Sequence, residues 1–350
     1  MHKSGELSQI GEMMNWNKGF AALYEIKKVD PVSFMDAGSF DFTGGSITRS
    51  DDSLTESAEL TMKQDVGECW IRIYLKAKQR ENGERVALFT GLTCMPERSI
   101  DGNRTTYPVE CYSVLKPAED TLARRGYYAP AGASGALLVK ELLSVGPAPI
   151  VCEKSSPCLL EPIIAEEYDT NLSMAWKIVN AIGWRIRIEG DGAIHICPRP
   201  ESENAVFDAL ENDCIEPRII DSQDWFSTPN CFRAVSGDLY AEAKNIDENN
   251  LSIRSRKQNR GGTGEIWAQD SAAALNEGES LSEYAARMLK EAQAPARSIR
   301  YDRRFRPDVT VSDLVRLHYP RQGIDGVFRV SEQRISLGHG CKISEEVVMA

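Results

Sequence analysis

Histidine and cysteine are the residues of this sequence best suited to catalysis, and one pair of them has a suggestive spacing. His195 and Cys197 lie two positions apart in a segment that alternates like a β-strand, so their side chains share one face. A thiol beside an imidazole base is the arrangement of a cysteine nucleophile. No acid and no oxyanion loop is visible beside the pair, so we expect His195 to occupy a solvent-facing position between inward-facing Ile194 and Ile196.

The remaining candidates for chemistry are weaker. His2 is terminal, His318 alternates with apolar neighbours on a predicted strand, and His339 lies between two glycines, none with an evident partner. The P-loop, G-x-G-x-x-G, H-E-x-x-H, EF-hand and G-x-S-x-G motifs are absent. The loop 260–264 (RGGTG) resembles a phosphate-binding turn, but no apolar strand precedes it and no lysine follows. We therefore expect no catalytic residue, no cofactor and no metal.

A basic run near the C-terminus is the strongest candidate for a binding surface. It consists of Arg297, Arg300, Arg303, Arg304 and Arg306. Arginine is enriched at protein interfaces and binds carboxylates through two hydrogen bonds, so the run predicts a subunit or partner contact. The acidic residues Glu56, Glu59, Glu110, Glu166 and Glu167 are possible complements. The alternative is a solvated strand face whose arginines pair with surface carboxylates of the same chain.

Composition excludes several classes of protein. The 350 residues, 42% of them hydrophobic, suffice for two or three packed units, and 41 Lys and Arg against 52 Asp and Glu give a formal charge of −11. That charge repels phosphate backbones and anionic membranes. No run approaches the roughly 18 to 20 apolar residues of a membrane-spanning helix, and the first 20 residues lack a signal pattern. We expect a protein assembled in the cytoplasm, without general nucleic-acid or membrane binding.

The cysteines indicate a reducing compartment. Nine are spread along the chain, an odd number without a C-x-x-C pair or the cysteine and histidine spacing of a zinc site. We expect them to be reduced and to act mostly as small buried apolar residues.

The first half of the chain predicts β-structure. Residues 41–115 consist of short strand-like runs separated by turn signals, so we expect an antiparallel meander with turns at Asn82-Gly83 and at 101–103. Residues 1–40 show no sustained period and predict an N-terminal arm. The sequence contains no internal repeat detectable by inspection.

The segment 116–197 predicts a small α/β unit. Ser134 and Ser173 are placed to cap two amphipathic helices, and Gly183 is placed to end the second. Alternation then begins at Trp184 and predicts a hairpin that turns at 190–192.

The last part of the chain, 198–350, predicts a second β unit with a helical insertion at about 264–297. The hydrophilic stretch 244–264 predicts an exposed loop. Ser280-Leu-Ser-Glu283 is a capping box ahead of an amphipathic helix, and strands return after it. The overall class is β-rich α+β.

This order of units, together with several short motifs, resembles the hub proteins at the centre of phage-tail baseplates. The motifs are ITRSDD (47–52), YSVLKP (112–117), AWKIVNAIGWRIRI (175–188), PDVTVSDLVRL (307–317) and GVFRV (326–330). They are similar to segments of the hubs of contractile-tailed phages, of prophages including those of Gram-positive hosts, and of tail-like bacteriocins. The resemblance spans about residues 40–350.

The resemblance implies a non-enzymatic structural protein with two tail-tube-like β-barrels. The first would span 41–115, completed by about 198–220, and the second 198–350. Three copies would form a pseudo-sixfold ring between the six-fold tail tube, or its initiator, and the three-fold spike or tip. Its other partners would be baseplate proteins, and DNA would only pass through the lumen, which an acidic lining would suit. The particle would assemble in the bacterial cytoplasm. Because the chain stops at Ala350, we expect a separate puncturing tip.

Two other functions remain open. A tail-associated cell-wall hydrolase or peptidase would use His195 or Cys197 in the small α/β unit. A generic β-rich binding module would be a stable monomer with one tight partner.

Overall fold

The computed structural model describes residues 14–51, 56–80, 82–94, 97–152, 156–200, 205, 207–208, 215–271, 275 and 278–349. Within these, twenty-two strands and five α-helices follow one another along the chain. The strands are β1 (Ala21–Val29), β2 (Asp36–Phe40), β3 (Phe42–Ser50), β4 (Glu56–Met62), β5 (Trp70–Gln79), β6 (Asn82–Cys94), β7 (Ser99–Asp101), β8 (Arg104–Ser113), β9 (Tyr128–Ala129), β10 (Ile150–Cys152), β11 (Ile163–Ile164), β12 (Trp184–Ile188), β13 (Ile194–Pro198), β14 (Phe207–Asp208), β15 (Ile215–Gln223), β16 (Cys231–Ser236), β17 (Leu239–Lys244), β18 (Trp267–Ser271), β19 (Arg297–Arg304), β20 (Leu314–Tyr319), β21 (Ile324–Ser336) and β22 (Lys342–Met349). The helices are α1 (Lys116–Asp120), α2 (Gly135–Leu143), α3 (Asn171–Ala181), α4 (Ile253–Arg260) and α5 (Leu281–Gln293).

A single large sheet dominates the molecule. Its 14 strands include a continuous path in the order β15-β19-β22-β21-β3-β4-β8-β6-β5-β1-β2, with β20, β14 and β7 attached at its sides. Most pairs are antiparallel, and alternate residues along β3, β4, β19 and β22 are buried, which is the pattern of strands with one face on a core. The expected β-rich class with few helices is confirmed.

The sheet contains a repeat of strand order. Strands β3, β4, β5, β6 and β8 form the pairs β3–β4, β4–β8, β8–β6 and β6–β5. Strands β15, β19, β20, β21 and β22 form the corresponding pairs β15–β19, β19–β22, β22–β21 and β21–β20. All eight pairs are antiparallel. We call these five-strand sets the first and second repeat; inspection of the sequence did not detect them.

The two repeats join edge to edge within the chain. Residues Glu332–Ser336, at the end of β21, pair with Ser46–Ser50 of β3 in antiparallel register. The buried residues Phe305, Ile335, Leu337 and Ile343 of the second repeat also belong to the hydrophobic core of the first. The second repeat has a further core of its own, which includes Tyr301 and Phe328.

Several expectations for the first half were wrong. Strand β8 lies between β4 and β6, so residues 41–115 are not a sequential meander. Asn82 and Gly83 lie inside β6; the turn falls between Gln79 and Asn82, where Arg80 adopts the positive φ of 54°. The predicted turn at 101–103 is confirmed, since Asp101 pairs with Arg104.

The expected limits of the first barrel also differ from the pairing. Residues 21–40, assigned to an arm, contain β1 and β2, and β1 pairs with β5 over nine residues. Residues 1–13 of the expected arm lie outside the described part of the chain. Strand β15, expected to complete the first barrel, pairs with β19 of the second repeat.

The segment between β8 and β14 packs around a separate hydrophobic core, to which Val29 of β1 and Trp70 of β5 also contribute. Helices α2 and α3 pack together against the sheet β10-β13-β12, whose β12–β13 hairpin confirms the predicted one. Thr170, not Ser173, caps α3, and Ser173 is the reciprocal member of that capping box. Ser134 precedes α2 as expected, but its hydroxyl bonds with that of Ser156 instead of capping the helix.

A second insertion, residues 224–296, lies between the paired ends of β15 and β19. It contains the sheet β17-β16-β18 and the helices α4 and α5. The capping box at Ser280 and Glu283 is confirmed at the start of α5. The stretch 244–264 is not entirely a loop, because Ser252 caps the polar helix α4 within it.

Candidate assembly surfaces

The arginine run follows strand β19, whose alternation divides it between two sides of the sheet. Arg303 points inward and is fully buried with Glu345; its Nε donates to Glu345 Oε2 over 2.7 Å. The Nε2 of Gln333 donates to Glu345 Oε1 over 2.6 Å, so the carboxylate is held by two strands. Arg303 therefore contributes to the interior of this chain instead of to its surface.

The other four arginines are held by groups of the same chain. Arg297 Nη2 lies 2.7 Å from Asp221 Oδ2, and Arg300 Nε lies 2.7 Å from Glu346 Oε2. Arg304 donates to the Asn17 carbonyl over 2.9 Å, and Arg306 pairs with Asp308.

The proposed acidic complements lie elsewhere in the chain. Glu56 pairs with Arg49, Glu59 with Arg334 and Glu166 with Lys177, while Glu110 accepts from the Tyr112 hydroxyl. This arrangement favours the alternative of a paired strand face for the run within one subunit.

A continuous polar surface extends across both repeats on the open side of the sheet. In one row, Asp302, Ser344, Arg334, Thr48, Ser57 and Tyr112 are cross-strand neighbours on six strands. We call the outward-facing residues of β15, β19, β22, β21, β3, β4 and β8 the polar sheet face. A groove of about 910 Å³ follows it across β4, β8 and β21.

The charge on the polar sheet face is balanced. Around its grooves, the described acidic residues are Glu59, Glu110, Asp302, Glu332 and Glu346, and the described basic residues are Arg218, Arg300, Arg304, Arg334 and Lys342. Five carboxylates against five cations leave this group of ten side chains without net formal charge, although the whole chain carries −11. The overall charge of the chain is therefore not concentrated on this face.

Among the described residues, one strand edge and one strand end remain open at positions equivalent to the joined ones. In the repeat junction, the edge of β3 away from β4 pairs with the end of β21. The equivalent edge of β15, away from β19, has no strand partner. In β6, pairing with β5 continues to Leu92 and the Thr93 N–H donates to the Cys69 carbonyl over 2.9 Å, so Cys94 is the residue of this strand end that pairs with β8 alone among the described residues. Unpaired edges are natural sites for another chain.

His195 and Cys197 do not form a catalytic arrangement. Both lie half-buried on β13, where the cross-strand neighbours of His195 are Val151 and Arg187 and that of Cys197 is Arg185. None of these neighbours can orient an imidazole as a base. The interpretation of His195 as an ordinary strand residue flanked by buried Ile194 and Ile196 agrees with this geometry.

The structure also shows the surroundings of the other candidates named from the sequence. His318 does have a partner, because its Nδ1 lies 2.7 Å from Asp325 Oδ1 on the neighbouring strand. His339 is exposed in a turn. The RGGTG loop follows the C-terminal end of α4, the opposite end from the one that binds phosphate.

The described cysteines are not joined in disulfides, in agreement with the expected reduced state. The eight described cysteines form no disulfide bond with one another, and Cys214 lies outside the described residues. Cys111, Cys231 and Cys341 are buried, and burial raises the pKa of the Cys341 thiol to about 12. Cys158 is exposed, so the expectation of general burial holds only in part.

Neither a metal site nor a membrane helix occurs in the described part of the chain. No group of three or more histidine, cysteine, aspartate or glutamate side chains is placed to hold a metal. No helix there is both long and apolar enough to cross a membrane.

Comparison with known proteins identifies the fold. No protein-family model matches the chain, and no curated protein matches its sequence. A tail protein from Neisseria meningitidis MC58 superposes with a TM-score of 0.67 at 13% identity, covering 93% of this chain and 96% of that one. The 43 kDa tail protein of prophage MuSo2 from Shewanella oneidensis gives 0.62 at 12% identity, covering 93% and 97%.

A third solved structure extends the likeness to secretion systems. An Escherichia coli component of the type VI secretion system, described as structurally similar to the bacteriophage T4 tail proteins gp27 and gp5, has a TM-score of 0.51 at 5% identity. The superposition covers 89% of this chain and 74% of the secretion-system protein. The chain therefore has the fold of phage tail proteins, which confirms the resemblance inferred from the sequence motifs at the level of the fold.

Proposed function

We propose that this chain, with its phage-tail fold, is the baseplate hub of a phage or phage-like tail and forms a trimeric, pseudo-sixfold ring. The observation that carries the proposal is the repeat of strand order, whose two members already join edge to edge through β21 and β3. Two repeats in each of three subunits supply six similar units, which matches a six-fold tube on one side and a three-fold spike on the other.

The intrachain junction indicates how such a ring would close. Repeating it between subunits places the free edge of β15 against the end of β6 of the next copy. The same contact made three times returns to the first subunit, so no edge of this kind is left open. The polar sheet face would then form a continuous surface around the ring and line the lumen. Its balanced charge would let DNA pass without strong attraction or repulsion.

The proposed organisation follows from the same assignment. Each repeat would belong to one tail-tube-like barrel, with the small α/β unit at 116–197 inserted between them and the helical segment at about 264–297 inserted in the second. The partners would be the tail tube or its initiator, a spike or tip protein and other baseplate proteins, in a tail assembled in the bacterial cytoplasm. The ring requires no catalytic residue.

The assembly state tests the proposal directly. We expect the purified chain, alone or mixed with its tube and spike neighbours, to form a trimer of about 117 kDa, three times the 38.9 kDa of the chain. Native mass spectrometry and light scattering measure this mass. A chain that stays monomeric even with those neighbours contradicts the hub assignment.

Covalent trapping tests how the ring closes. Oxidation of an Ile220→Cys or Ser222→Cys variant should link β15 to Cys94 of the next copy, producing covalent dimers and trimers on a denaturing gel. The reaction needs alkaline pH, because burial raises the pKa of the Cys94 thiol. The unmodified chain and the Cys94→Ser version of each variant are the controls. A trimer that gives no such product at either position would retain the hub but contradict this closure.

A further inference from the structure

The insertion 224–296 exposes one face of its three-stranded sheet. Alternate residues of that sheet, among them Phe232, Ala234 and Ala243, pack towards Tyr284 and Leu289 of α5. The opposite side is not covered by α5. It carries the side chains that we call the aromatic face: Arg233, Tyr240, Glu242, Lys244, Trp267 and Gln269.

Strand register places these side chains in a compact pattern. Arg233 on the central strand lies between Glu242 of β17 and Gln269 of β18. Its guanidinium carbon is 5.5 Å from the centre of the Tyr240 ring and 5.3 Å from that of the Trp267 ring. Two aromatic rings on the outer strands thus flank one planar cation on the central strand. Tyr240 is 68% exposed and Trp267 40% exposed.

The polar groups of the aromatic face are held in place by one another. Glu242 Oε1 accepts from Arg233 Nε at 3.0 Å and from Nη2 at 2.7 Å. Lys244 lies 4.9 Å from the Trp267 ring centre and pairs with Glu265 at 2.9 Å. Trp267 Nε1 donates to Glu265 Oε2 over 3.2 Å. The Trp267 ring is therefore held in place before a ligand arrives, so it loses less conformational entropy on binding.

The charges of the aromatic face cancel. Arg233 is neutralised by Glu242 and Lys244 by Glu265. An anionic polymer such as nucleic acid would find no unpaired cation among these four residues, so its dominant source of affinity is missing.

Hydrogen-bonding groups of the aromatic face without a partner favour a hydroxyl-rich ligand over an apolar protein surface. Arg233 Nη1, Glu242 Oε2 and the Gln269 amide have no partner within the described residues. Burying them under the dry centre of a protein interface would leave donors and acceptors unsatisfied, at a cost. A hydroxyl group donates and accepts at once, so a polyhydroxylated ligand can satisfy all three while its C–H face stacks on an aromatic ring.

We propose that the aromatic face is a binding site for a neutral carbohydrate. The Trp267 and Tyr240 rings stack on the apolar faces of sugar rings, and Arg233, Glu242 and Gln269 hydrogen-bond to their hydroxyls. The site goes beyond the proposed role in the ring and does not depend on it. It would allow a tail protein to contact bacterial surface glycan.

Titration of the full chain with neutral oligosaccharides tests the site. The probes are a trimer of N-acetylglucosamine and maltotriose at millimolar concentrations, followed by calorimetry and by indole fluorescence. We expect at least one probe to bind the unmodified chain, and Trp267→Ala and Tyr240→Ala each to weaken binding about tenfold or more. Trp225→Ala is the matched control: Trp225 is 41% exposed but is not on this sheet, and its variant should bind normally.

The negative outcomes are equally clear. If neither oligosaccharide binds, or if Trp267→Ala binds as tightly as Trp225→Ala, the carbohydrate site is wrong. Binding of a purified baseplate protein that depends on Trp267, without oligosaccharide binding, would make the face a protein interface and would also overturn the proposal. Light scattering on the same samples reports the trimer separately, so failure of the sugar site and failure of the hub are distinguishable.

Discussion

Replacing Arg303 with methionine should lower the free energy of unfolding by about 3–5 kcal/mol, because it leaves the Glu345 carboxylate buried without its counter-charge. Both side chains are fully buried, and within the described part of the chain the Glu345 carboxylate would keep the hydrogen bond from the Gln333 amide alone. Arg303, Glu345 and Gln333 lie on the adjacent strands β19, β22 and β21, so the substitution destabilises the central strands of the second repeat. Denaturant unfolding at fixed protein concentration measures it, since assembly makes the midpoint concentration-dependent.

Arg304→Met is the matched control for this effect. Arg304 is the next residue on the same strand, but it is exposed, and its guanidinium donates to the Asn17 backbone carbonyl. Its replacement should change stability by no more than about 0.5 kcal/mol. Adding Glu345→Gln to Arg303→Met should restore part of the loss, because the buried charge is removed. Equal effects of the two arginine substitutions would show that Arg303 is not held as described.

Replacing Arg49 with methionine should have a comparable cost, about 3–5 kcal/mol, at a different place. Arg49 Nε lies 2.5 Å from Glu56 Oε1, and both residues are buried. The same guanidinium reaches the Leu88 carbonyl and, at 3.5 Å, the Thr310 hydroxyl. It therefore connects strand β3 and strand β6 with the segment between β19 and β20 of the second repeat.

The pH dependence of that variant follows from Glu56. Burial raises the pKa of the Glu56 carboxyl above its ordinary value, and removing Arg49 should raise this pKa further. A group whose pKa is higher in the folded state adds stability below that pKa and loses it as the pH rises through it. The deficit of Arg49→Met should therefore be largest at neutral pH and shrink on acidification.

Two further variants check the origin of this deficit. Arg49→Met with Glu56→Gln should recover stability at neutral pH and lose the pH dependence. Arg334→Met, which breaks an exposed contact of 3.8 Å with Glu59 on the same sheet, should have almost no effect. A deficit of Arg49→Met that is the same at neutral and mildly acidic pH would contradict the account.

Local features of the fold were predictable from the sequence. The hairpin that begins at Trp184 follows from the alternation of apolar and polar residues. The start of α5 follows from the capping box of Ser280 and Glu283. Both signals lie within a few residues of the structure they specify. Helix α4 was missed because every residue after Ile253 is polar and no apolar stripe is present, although Ser252 is a normal cap.

Strand order was not predictable in the same way. The insertion of β8 between β4 and β6, and the pairing of β21 with β3, bring together residues far apart in the chain. Such pairing depends on burying complementary faces, which a single strand sequence does not specify. This is why the repeat of strand order escaped sequence inspection, while short motifs still indicated the tail fold.

The candidate surfaces were also only partly predictable from the sequence, because they depend on strand pairing. An arginine-rich strand is visible in the sequence, but the sequence does not tell which alternate positions face the core. Arg303 and Arg304 are adjacent and have opposite environments. The aromatic face was not anticipated, because Arg233, Tyr240 and Trp267 belong to three strands whose pairing had to be known first.

The insertion 224–296 is placed so that it can be exchanged as one unit, which we call the cassette. Gln223 and Arg297 are cross-strand neighbours, so the cassette enters and leaves the second repeat at one point. In the first repeat, the equivalent strands β3 and β4 are separated by only five residues of sequence. Natural recombination or laboratory grafting could therefore replace the cassette without altering the repeats. A trimeric hub would display three copies, so even a weak recognition module exchanged there would gain from avidity.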